Sequence, residues 1–195
     1  MKTEKASNMA TVAPTKSKLT IKRNGRSSTT LVPLPTVIVD TREQRPYTFE
    51  QFGNWVGAVE PSALKTADYS VQGYEDLIGV ERKTLNDLVV SLMSSRQRFL
   101  AEMERLSAFR YKCLCIEATR TEVKSPYSFT KGVKAHPNGI TGSLDAIAAR
   151  YGITVHYGDT RELSEEFVAS FLNKAHALEW LEENGHGRYL QEGDI

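Results

Sequence analysis

Short apolar runs and longer amphipathic stretches alternate along this chain between residues 36 and 183. Continuous apolar runs are typical of buried strands, and apolar positions that recur every three or four residues are typical of helices. The first half is rich in strands, and strands alternate with helices in the second half. This order favours an α/β fold with a mixed central sheet and helices on both faces. The predicted strands are residues 37–40, 54–60, 69–71, 77–82, 112–118 and 153–157, and the predicted helices are residues 84–110, 143–151 and 163–183.

The N-terminal segment lacks such a pattern. Residues 1–33 are rich in Ser, Thr, Lys and Ala, and we expect a mostly disordered arm in which residues 19–26 can form a short strand with a turn. Seven basic residues and one acid give this arm a charge of +6, which leaves −5 for the rest of a chain whose net charge is +1. Such an arm can follow DNA phosphates or remain a solvated tail, and the sequence leaves both open. We predict a folded domain over residues 34–184 and a tail over residues 185–195.

The main chemical signal lies at the end of a predicted strand. Residues 77–80 are apolar, yet Glu81, Arg82 and Lys83 follow directly, and charges at the end of a buried strand cost free energy unless they have a role. Glu81 and Lys83 are two residues apart and leave the same face of the strand. A turn before the strand lets Asp68 approach Glu81. Two carboxylates can hold a hard divalent metal ion, and a lysine beside them can orient or activate water and stabilise charge on a phosphate.

These charges follow a recognisable spacing. The chain reads Asp68, twelve residues, Glu81-Arg82-Lys83, three residues and Asp87. This spacing resembles the signature of the XPF-type structure-specific endonucleases, a branch of the PD-(D/E)-x-K nuclease superfamily. The signature normally begins with Gly-Asp, whereas Ala67 precedes the first aspartate here. The resemblance implies a restriction-endonuclease-like fold.

Two further segments resemble the same family. Residues 37–43 end in Asp-Thr-Arg-Glu, which is similar to the end of the family's first strand. Arg96, with Phe99 close behind, resembles the family's Gly-Arg-Phe segment, although Ser95 replaces the glycine. The order and spacing match over roughly residues 35–184, which is far more specific than a single short motif.

The resemblance implies a metal centre and a substrate. Asp40 is expected to join Asp68 and Glu81 in holding Mg²⁺ or Mn²⁺, the main-chain carbonyl of Arg82 is expected to reach that metal, and Lys83 is expected to be catalytic. The implied reaction is hydrolysis of phosphodiester bonds in branched DNA, such as flaps, forks or junctions. The products would carry a 5′-phosphate and a 3′-hydroxyl. The nuclease domains of this family pair, so a homodimer is expected.

The remaining charges near these positions have two interpretations each. Arg42 can pair with a site carboxylate or reach a phosphate. Glu43 can be a metal ligand through water or simply the partner of Arg42. The side chain of Arg82 points to the face opposite Glu81 and can bind substrate or brace the fold.

The long predicted helix contains two more candidates. Thr84 and Asp87 fit a capping-box pattern at its start, and we therefore favour a structural role for Asp87 over a chemical one. Arg96 occupies an apolar position of the helix, just after two serines that can break it. A guanidinium on the inward face would bind a site carboxylate or the scissile phosphate, and the alternative is a snorkelling side chain.

Residues 119–138 form a long connection with little predicted structure. Basic and aromatic residues are interleaved in it, a combination that can hold phosphates and stack bases. Loops of this length are uncommon unless functional, so we favour DNA contact over an ordinary mobile loop. The lysines expected to bind DNA are Lys124, Lys131 and Lys134.

We therefore predict a metal-dependent DNA endonuclease that acts on branched DNA. The alternative is a catalytically silent DNA-binding or scaffold subunit, although such subunits usually lose the acids or the lysine that this chain keeps. Few residues follow residue 184, so we expect a stand-alone form without the helix-hairpin-helix domain common in the family. No apolar run reaches the roughly 20 residues of a membrane helix, and no secretory signal is evident. We expect an intracellular protein, cytoplasmic in a prokaryotic or viral setting, with the nucleus as the alternative.

Overall fold

The computed structural model describes residues 16–23, 26–125 and 136–186. Eight strands, five α-helices and a short 3₁₀ helix, Glu50–Phe52, form within these residues. The strands are β1 (Lys16–Arg23), β2 (Arg26–Pro33), β3 (Thr36–Asp40), β4 (Ala58–Ser62), β5 (Tyr69–Val71), β6 (Ile78–Thr84), β7 (Tyr111–Glu117) and β8 (Thr154–Tyr157). The helices are α1 (Leu85–Met93), α2 (Arg96–Ser107), α3 (Arg120–Lys124), α4 (Pro137–Tyr151) and α5 (Arg161–Glu183). None of the described helices is long and apolar enough to cross a membrane.

Six of the strands form one mixed sheet in the order β4-β3-β5-β6-β7-β8. The short strand β5 runs antiparallel to both of its neighbours, β3 and β6. The other neighbouring pairs are parallel. The predicted α/β fold with a mixed central sheet is confirmed.

Helices cover both faces of the sheet because side chains alternate along its strands. In β7, Leu114 and Ile116 face a core formed with α1, α2, α3 and α4. Cys113 and Cys115, on the opposite face of the same strand, lie in a second core formed with α5. All four side chains are fully buried. The sheet is therefore a rigid layer between two cores, and charges at the ends of its strands have fixed positions.

The predicted helix of residues 84–110 is divided into α1 and α2. Ser94 and Ser95 lie at the break, where serine hydroxyls compete with the helical hydrogen bonds. The second strand also begins later than predicted, at Ala58, because a turn after the 3₁₀ helix precedes it. The division of the helix changes which residues of α2 face inward.

The predicted connection of residues 119–138 contains more regular structure than its polarity indicated. A capping box between Thr119 and Glu122 begins α3, which sequence analysis did not predict. The next helix, α4, begins at Pro137 rather than at residue 143, with His136 as its N-cap and proline in its first turn. Residues 126–135 lie outside the described residues.

The N-terminal segment differs from the expected disordered arm. β1 and β2 form an antiparallel hairpin with eight residue pairs, and residues 1–15 lie outside the described residues. Leu19 and Val32 of the hairpin pack against the C-terminal half of α5. The apolar residues of α5 in this contact are Ala177, Trp180 and Leu181. Leu19 and Val32 thus dock the hairpin on the domain.

Candidate active site

Three carboxylates lie side by side where three neighbouring strands meet. Tyr69 of β5 pairs with β3 on one side and with β6 on the other. Asp68, one residue earlier, therefore lies between Asp40 of β3 and Glu81 of β6. The N–H of Asp40 donates to the carbonyl of Asp68 at 2.9 Å, and the N–H of Asp68 donates to that of Val80 at 3.0 Å. The predicted approach of Asp68 to Glu81 follows from this register.

Two features of the main chain orient Asp68: a hydrogen bond from β6 and the backbone conformation of the preceding residue. Its Oδ2 atom accepts a hydrogen bond from the N–H of Arg82 at 2.8 Å. Ala67 has a φ of 73°, in the left-handed region that favours glycine. The left-handed conformation thus explains why the XPF-type signature has glycine before this aspartate. In this chain, alanine adopts that conformation at the same position.

Lys83 lies between two carboxylates on one face of β6. Its Nζ atom donates to Glu81 Oε1 and lies 3.9 Å from Glu102 Oε2 of α2. Glu81 is only 2% exposed, whereas the side chain of Glu102 is 29% exposed. Sequence analysis missed Glu102, and the available signal was its position three residues after the buried Phe99, on the same side of the helix.

Burial changes the pKa values of this cluster. It raises the pKa of Glu81 to about 8, with repulsion by Asp68 as the second cause. It also raises the pKa of Asp68 to about 6, against the attraction of Lys83. Burial lowers the pKa of Lys83, but the attraction of the three surrounding carboxylates is stronger together and raises the pKa overall. Lys83 is therefore protonated at neutral pH, and the crowded acids favour a further positive charge nearby.

Asp40 belongs to the same row but is neutralised by Arg42. Arg42 donates to Asp40 Oδ1 through its main-chain N–H at 2.7 Å and its Nε at 2.8 Å, and to Oδ2 through Nη2 at 2.8 Å. The N–H of Leu64 donates to Oδ2 at 2.9 Å. The side-chain bond from Arg42 outweighs burial and lowers the pKa of Asp40 to about 2. Arg42 thus pairs with a site carboxylate, and a metal contact by Asp40 stays a prediction that requires Arg42 to move.

Arg82 braces the opposite face of β6. Its Nε and Nη2 atoms donate to Glu117 at 2.8 and 2.9 Å, and its Nη1 donates to Glu43 at 3.2 Å. The hydroxyl of Tyr47 donates to Glu117 at 2.7 Å, and Arg161 donates to the same oxygen at 3.4 Å. Because the side chain of Arg82 is 7% exposed and its donors are engaged, the structure supports bracing rather than substrate contact.

The acids of this network differ from the prediction. Glu43 pairs with Arg82, and Arg42 pairs with Asp40, so Glu43 is not the partner of Arg42. Glu117 was not predicted at all. Glu117 is the last residue of the apolar strand β7, and Glu81 likewise follows an apolar run in β6. This repeated pattern, an acid directly after apolar strand residues, was the available signal for Glu117.

The row of carboxylates lies in an open cleft of about 600 Å³. Its acidic floor is surrounded by exposed basic side chains from two loops and from α2. This basic rim consists of Arg42, Arg45, Lys65, Arg98 and Arg105. A negatively charged polymer can therefore approach the acidic floor without facing acidic groups alone.

Arg96 lies elsewhere than predicted. It is exposed, does not line the cleft, and donates from Nη1 to Ser143 Oγ at 2.9 Å. The expected inward position assumed one continuous helix, but the break at residues 94–95 starts a new helical phase. Arg98 and Arg105 are the arginines that α2 directs to the cleft. A DNA contact by Arg96 stays a prediction.

The other predicted residues lie at the margin or beyond it. Asp87 caps α1: its N–H donates to Thr84 Oγ1 at 3.2 Å, and that hydroxyl donates to Asp87 Oδ2 at 2.6 Å. This is the structural role that the sequence favoured. Lys124 is exposed on α3 and donates to Asn138 Oδ1 at 3.1 Å. Lys131 and Lys134 lie outside the described residues.

The donor set on the cleft floor fits a hard divalent cation. Carboxylate oxygens line it, and no histidine or cysteine does among the described residues. Asp68, Glu81 and Glu102 surround one ammonium group, Lys83, so they carry an excess of two negative charges when all three are ionised, before the exposed rim is counted. Burial opposes this ionisation, and a bound cation would favour it. Within the described part of the chain, no three acid, histidine or cysteine groups are arranged to bind one ion. Asp68 and Glu81 therefore fit as two ligands, and further ligands require Asp40 to be released or water to bind.

Comparisons with known proteins agree with this geometry. A family model described as the ERCC4 domain matches residues 39–171. Among solved structures, XPF from Aeropyrum pernix is 23% identical over 77% of this chain and 68% of its own, with a TM-score of 0.57. XPF from Aeropyrum pernix in complex with DNA is 24% identical over 76% of this chain and 66% of its own, with a TM-score of 0.54.

These comparisons have different weights. The two structural likenesses show the fold alone, and this chain spans about two thirds of the length of each matched chain. The search of curated proteins gave no match. The family match covers more than half of the chain and includes Asp40, Asp68, Glu81 and Lys83. This chain therefore belongs to the ERCC4 domain family, and its nuclease-like sheet carries the acidic cleft at the ends of β3 and β6.

Proposed function

We propose that this protein is a divalent-metal-dependent endonuclease that hydrolyses phosphodiester bonds in branched DNA. The observation that carries the proposal is the floor of the cleft, where three carboxylates face a single ammonium group beneath a basic rim. A purely structural cluster would be expected to balance its charges, because unpaired buried charges are costly. Full ionisation of the three acids would leave an excess of two negative charges, which one Mg²⁺ or Mn²⁺ ion would balance.

Asp68 and Glu81 are the proposed metal ligands, with Asp40 as a third after displacement of Arg42. A bound divalent cation supplies Lewis acidity and a water of lowered pKa. Lys83 stays protonated beside Glu81, so it stabilises negative charge on the phosphate instead of accepting a proton. The main-chain N–H of Arg82 holds Asp68 in place through a hydrogen bond of 2.8 Å.

The basic rim is the proposed contact for the DNA backbone. Arg98 and Arg105 line the cleft from α2, and Arg45 and Lys65 line it from two loops. Arginine binds phosphate through two parallel hydrogen bonds, which fixes the strand as well as attracting it. The DNA complex of XPF from Aeropyrum pernix supports DNA as the polymer. The preference for branched DNA rests on the family resemblance.

The direct test is a cleavage assay with labelled flap, fork, four-way junction, single-stranded and duplex DNA, in Mg²⁺ and in EDTA. We expect cleavage of the branched substrates in Mg²⁺ only. Asp68→Asn and Lys83→Met should each lower the cleavage rate by at least about 100-fold, because each removes a charge that acts in the transition state. Asp159→Asn and Lys174→Met make the same changes at exposed positions outside the cleft and serve as matched controls.

Three outcomes separate the possibilities. Equal rates for wild type and both site variants would refute the assigned residues. Tight binding of branched DNA without any cleavage would favour the silent DNA-binding subunit. Cleavage of single-stranded or plain duplex DNA at the same rate would refute the preference for branches.

We also propose a homodimer, on the basis of the family resemblance. Two cleavage sites in one particle would suit a junction, in which two strands are cut. Light scattering after gel filtration, over a range of concentrations, should give twice the chain mass of 21.8 kDa. A constant mass of one chain at high concentration would contradict this proposal.

A further inference from the structure

The hairpin of β1 and β2 is the most strongly basic part of the described chain. Residues 16–33 contain five basic residues and no acid. The five basic residues of the hairpin are Lys16, Lys18, Lys22, Arg23 and Arg26. The chain from residue 34 onward has a net charge of −5. The family match begins at residue 39, so the hairpin is an addition outside the matched part.

The register of the hairpin arranges this charge. Lys16 and Lys18, two residues apart on β1, both have exposed side chains. The backbone register places Arg23 opposite Arg26, and residues 16–33 contain no acid that could pair with any of the five basic residues within the hairpin.

The base of the hairpin is fixed on the domain. Leu19 and Val32 pack against Ala177 and Leu181 of α5. The first turn of the same helix contacts the rim of the cleft, since Arg161 Nη2 donates to the carbonyl of Arg45 at 3.0 Å. The 21 residues from Arg161 to Leu181 are separated by twenty steps of 1.5 Å and span about 30 Å. The hairpin base and the cleft are thus separated by about nine base pairs of B-form duplex, at 3.4 Å per pair.

We propose that this basic hairpin is a second DNA contact, which holds the duplex arm of the substrate through its phosphates, roughly one helical turn from the cleavage site. The inference rests on the proposed nuclease function for its choice of DNA. It assigns the grip on the duplex to an element outside the family match. Contacts to phosphate carry no sequence information, so the hairpin adds affinity without selecting a sequence.

The test measures binding in EDTA, where cleavage does not occur, so that it is independent of catalysis. Fluorescence anisotropy would follow a flap DNA with a 20-base-pair arm over a series of NaCl concentrations. Replacing all five basic residues of the hairpin by Gln should lower the salt dependence, the slope of log K against log[salt], by about 4 and weaken binding at least about 10-fold at 150 mM NaCl. Leu19 and Val32 are unchanged, and thermal unfolding would verify that the domain is folded.

A charge-matched pair of variants makes the test specific. The double variant Lys16→Gln, Lys18→Gln should lower the slope by about 2. The control Arg150→Gln removes one charge from an exposed position on α4, which covers the opposite face of the sheet from α5, and should leave the slope nearly unchanged, whereas Lys16→Gln alone should lower it by about 1. Shortening the duplex arm to eight base pairs should abolish most of the difference in affinity between the five-residue hairpin variant and wild type, because the arm then ends before it reaches the hairpin.

The results separate the two proposals. Wild-type affinity and slope in the five-residue variant, or an equal loss in the control, would overturn the hairpin proposal even if the protein cleaves DNA. Such a result would favour a protein partner for the hairpin. An equal loss on the short and long arms would also overturn it, because the contact would then lie beside the cleft. Absence of cleavage by wild type in Mg²⁺ would refute the nuclease function without affecting this binding measurement.

Discussion

A single backbone conformation at Ala67 fixes the position of the central carboxylate. Its φ of 73° turns the chain so that Asp68 enters the row between β3 and β6. The left-handed region costs a residue with a Cβ atom about 1–2 kcal/mol relative to the right-handed one. Ala67 is also buried in the core beside α1 and α2, where its methyl group packs. The core contact explains how alanine is retained where glycine fits the backbone better.

This argument predicts opposite outcomes for a smaller and a larger residue. Ala67→Gly should change the free energy of unfolding by less than about 1 kcal/mol, because relief of strain offsets the lost methyl contact and the greater freedom of the unfolded chain. Ala67→Val should destabilise by about 2–4 kcal/mol, because a β-branched residue is poorly tolerated at positive φ and the site is packed. Urea denaturation measures both changes.

Ala118→Val is the matched control for this pair. Ala118 is buried in the same core and is not among the described residues with positive φ, so valine there tests overpacking alone. If Ala67→Val is no more destabilising than Ala118→Val, the conformation of Ala67 does not carry the effect.

At the level of elements, the end of β7 connects three separate parts of the site. Glu117 accepts hydrogen bonds from Arg82 of β6, from Tyr47 in the loop after β3 and from Arg161 of α5. Burial raises the pKa of Glu117, but the hydrogen bonds from Arg82 and Tyr47 outweigh it and lower the pKa overall. The carboxylate is therefore ionised at neutral pH and anchors the strand that carries Glu81.

Removing this anchor should destabilise the domain more than the loss of one hydrogen bond. Glu117→Gln leaves the buried guanidinium of Arg82 without its main counter-charge, and we expect a loss of about 3 kcal/mol in the free energy of unfolding. Tyr47→Phe removes one hydrogen bond and should cost about 1 kcal/mol. Chemical denaturation of both variants measures the difference.

Glu104→Gln is the control for the charge change, since Glu104 is exposed on α2. A Glu117→Gln variant as stable as the Glu104→Gln variant would show that Arg82 does not depend on Glu117. The electrostatic link between β6, β7 and α5 would then be refuted.

For the molecule as a whole, the charges are divided between a basic hairpin, a basic rim and an acidic floor. Folding disfavours the ionised forms of the acids on the floor, since burial raises the pKa values of Glu81 and Asp68. A cation that binds the folded protein alone stabilises it by mass action. Metal binding should therefore be visible as stability, separately from any effect on cleavage.

Mg²⁺ should raise the melting temperature of wild type above its value in EDTA at matched ionic strength. At 100 times Kd the stabilisation is about 2.7 kcal/mol, or roughly 5–10 °C for a domain of this size. Glu81→Gln should melt at least as high as wild type in EDTA, because one of the repelling carboxylates is gone, and it should lose most of the response to Mg²⁺. Differential scanning fluorimetry gives both numbers.

Glu104→Gln should respond to Mg²⁺ like wild type, because it lies outside the cleft floor. A wild-type melting temperature that is the same in Mg²⁺ and in EDTA would argue against a metal site at Glu81. An equal rise for Glu81→Gln and wild type would do the same.

Much of the fold and part of the site were predictable from sequence because they depend on local periodicity. The buried strands β3, β6 and β7 each appear as continuous apolar runs, and the spacing of Glu81 and Lys83 fixes their common face. The docking of the hairpin was not predictable, since Leu19 and Val32 become apolar anchors only when α5 presents a matching surface. The positions of Arg96 and Arg98 were not predictable either. Ser94 and Ser95 indicated that the helix can break there, but only the structure shows which residues α2 turns toward the cleft after the break.

The sequence by itself determined the α/β fold, the ERCC4 domain family and the pairing of an acid with a lysine at the end of β6, because each follows from residues that are close in the chain. Only the tertiary structure decided which charges compensate one another. It joined Arg82 to Glu117 and Arg42 to Asp40, and it left Lys83 shared between Glu81 and Glu102. These pairings depend on distances between separate elements, and electrostatic energy follows distance in space and burial rather than separation along the chain.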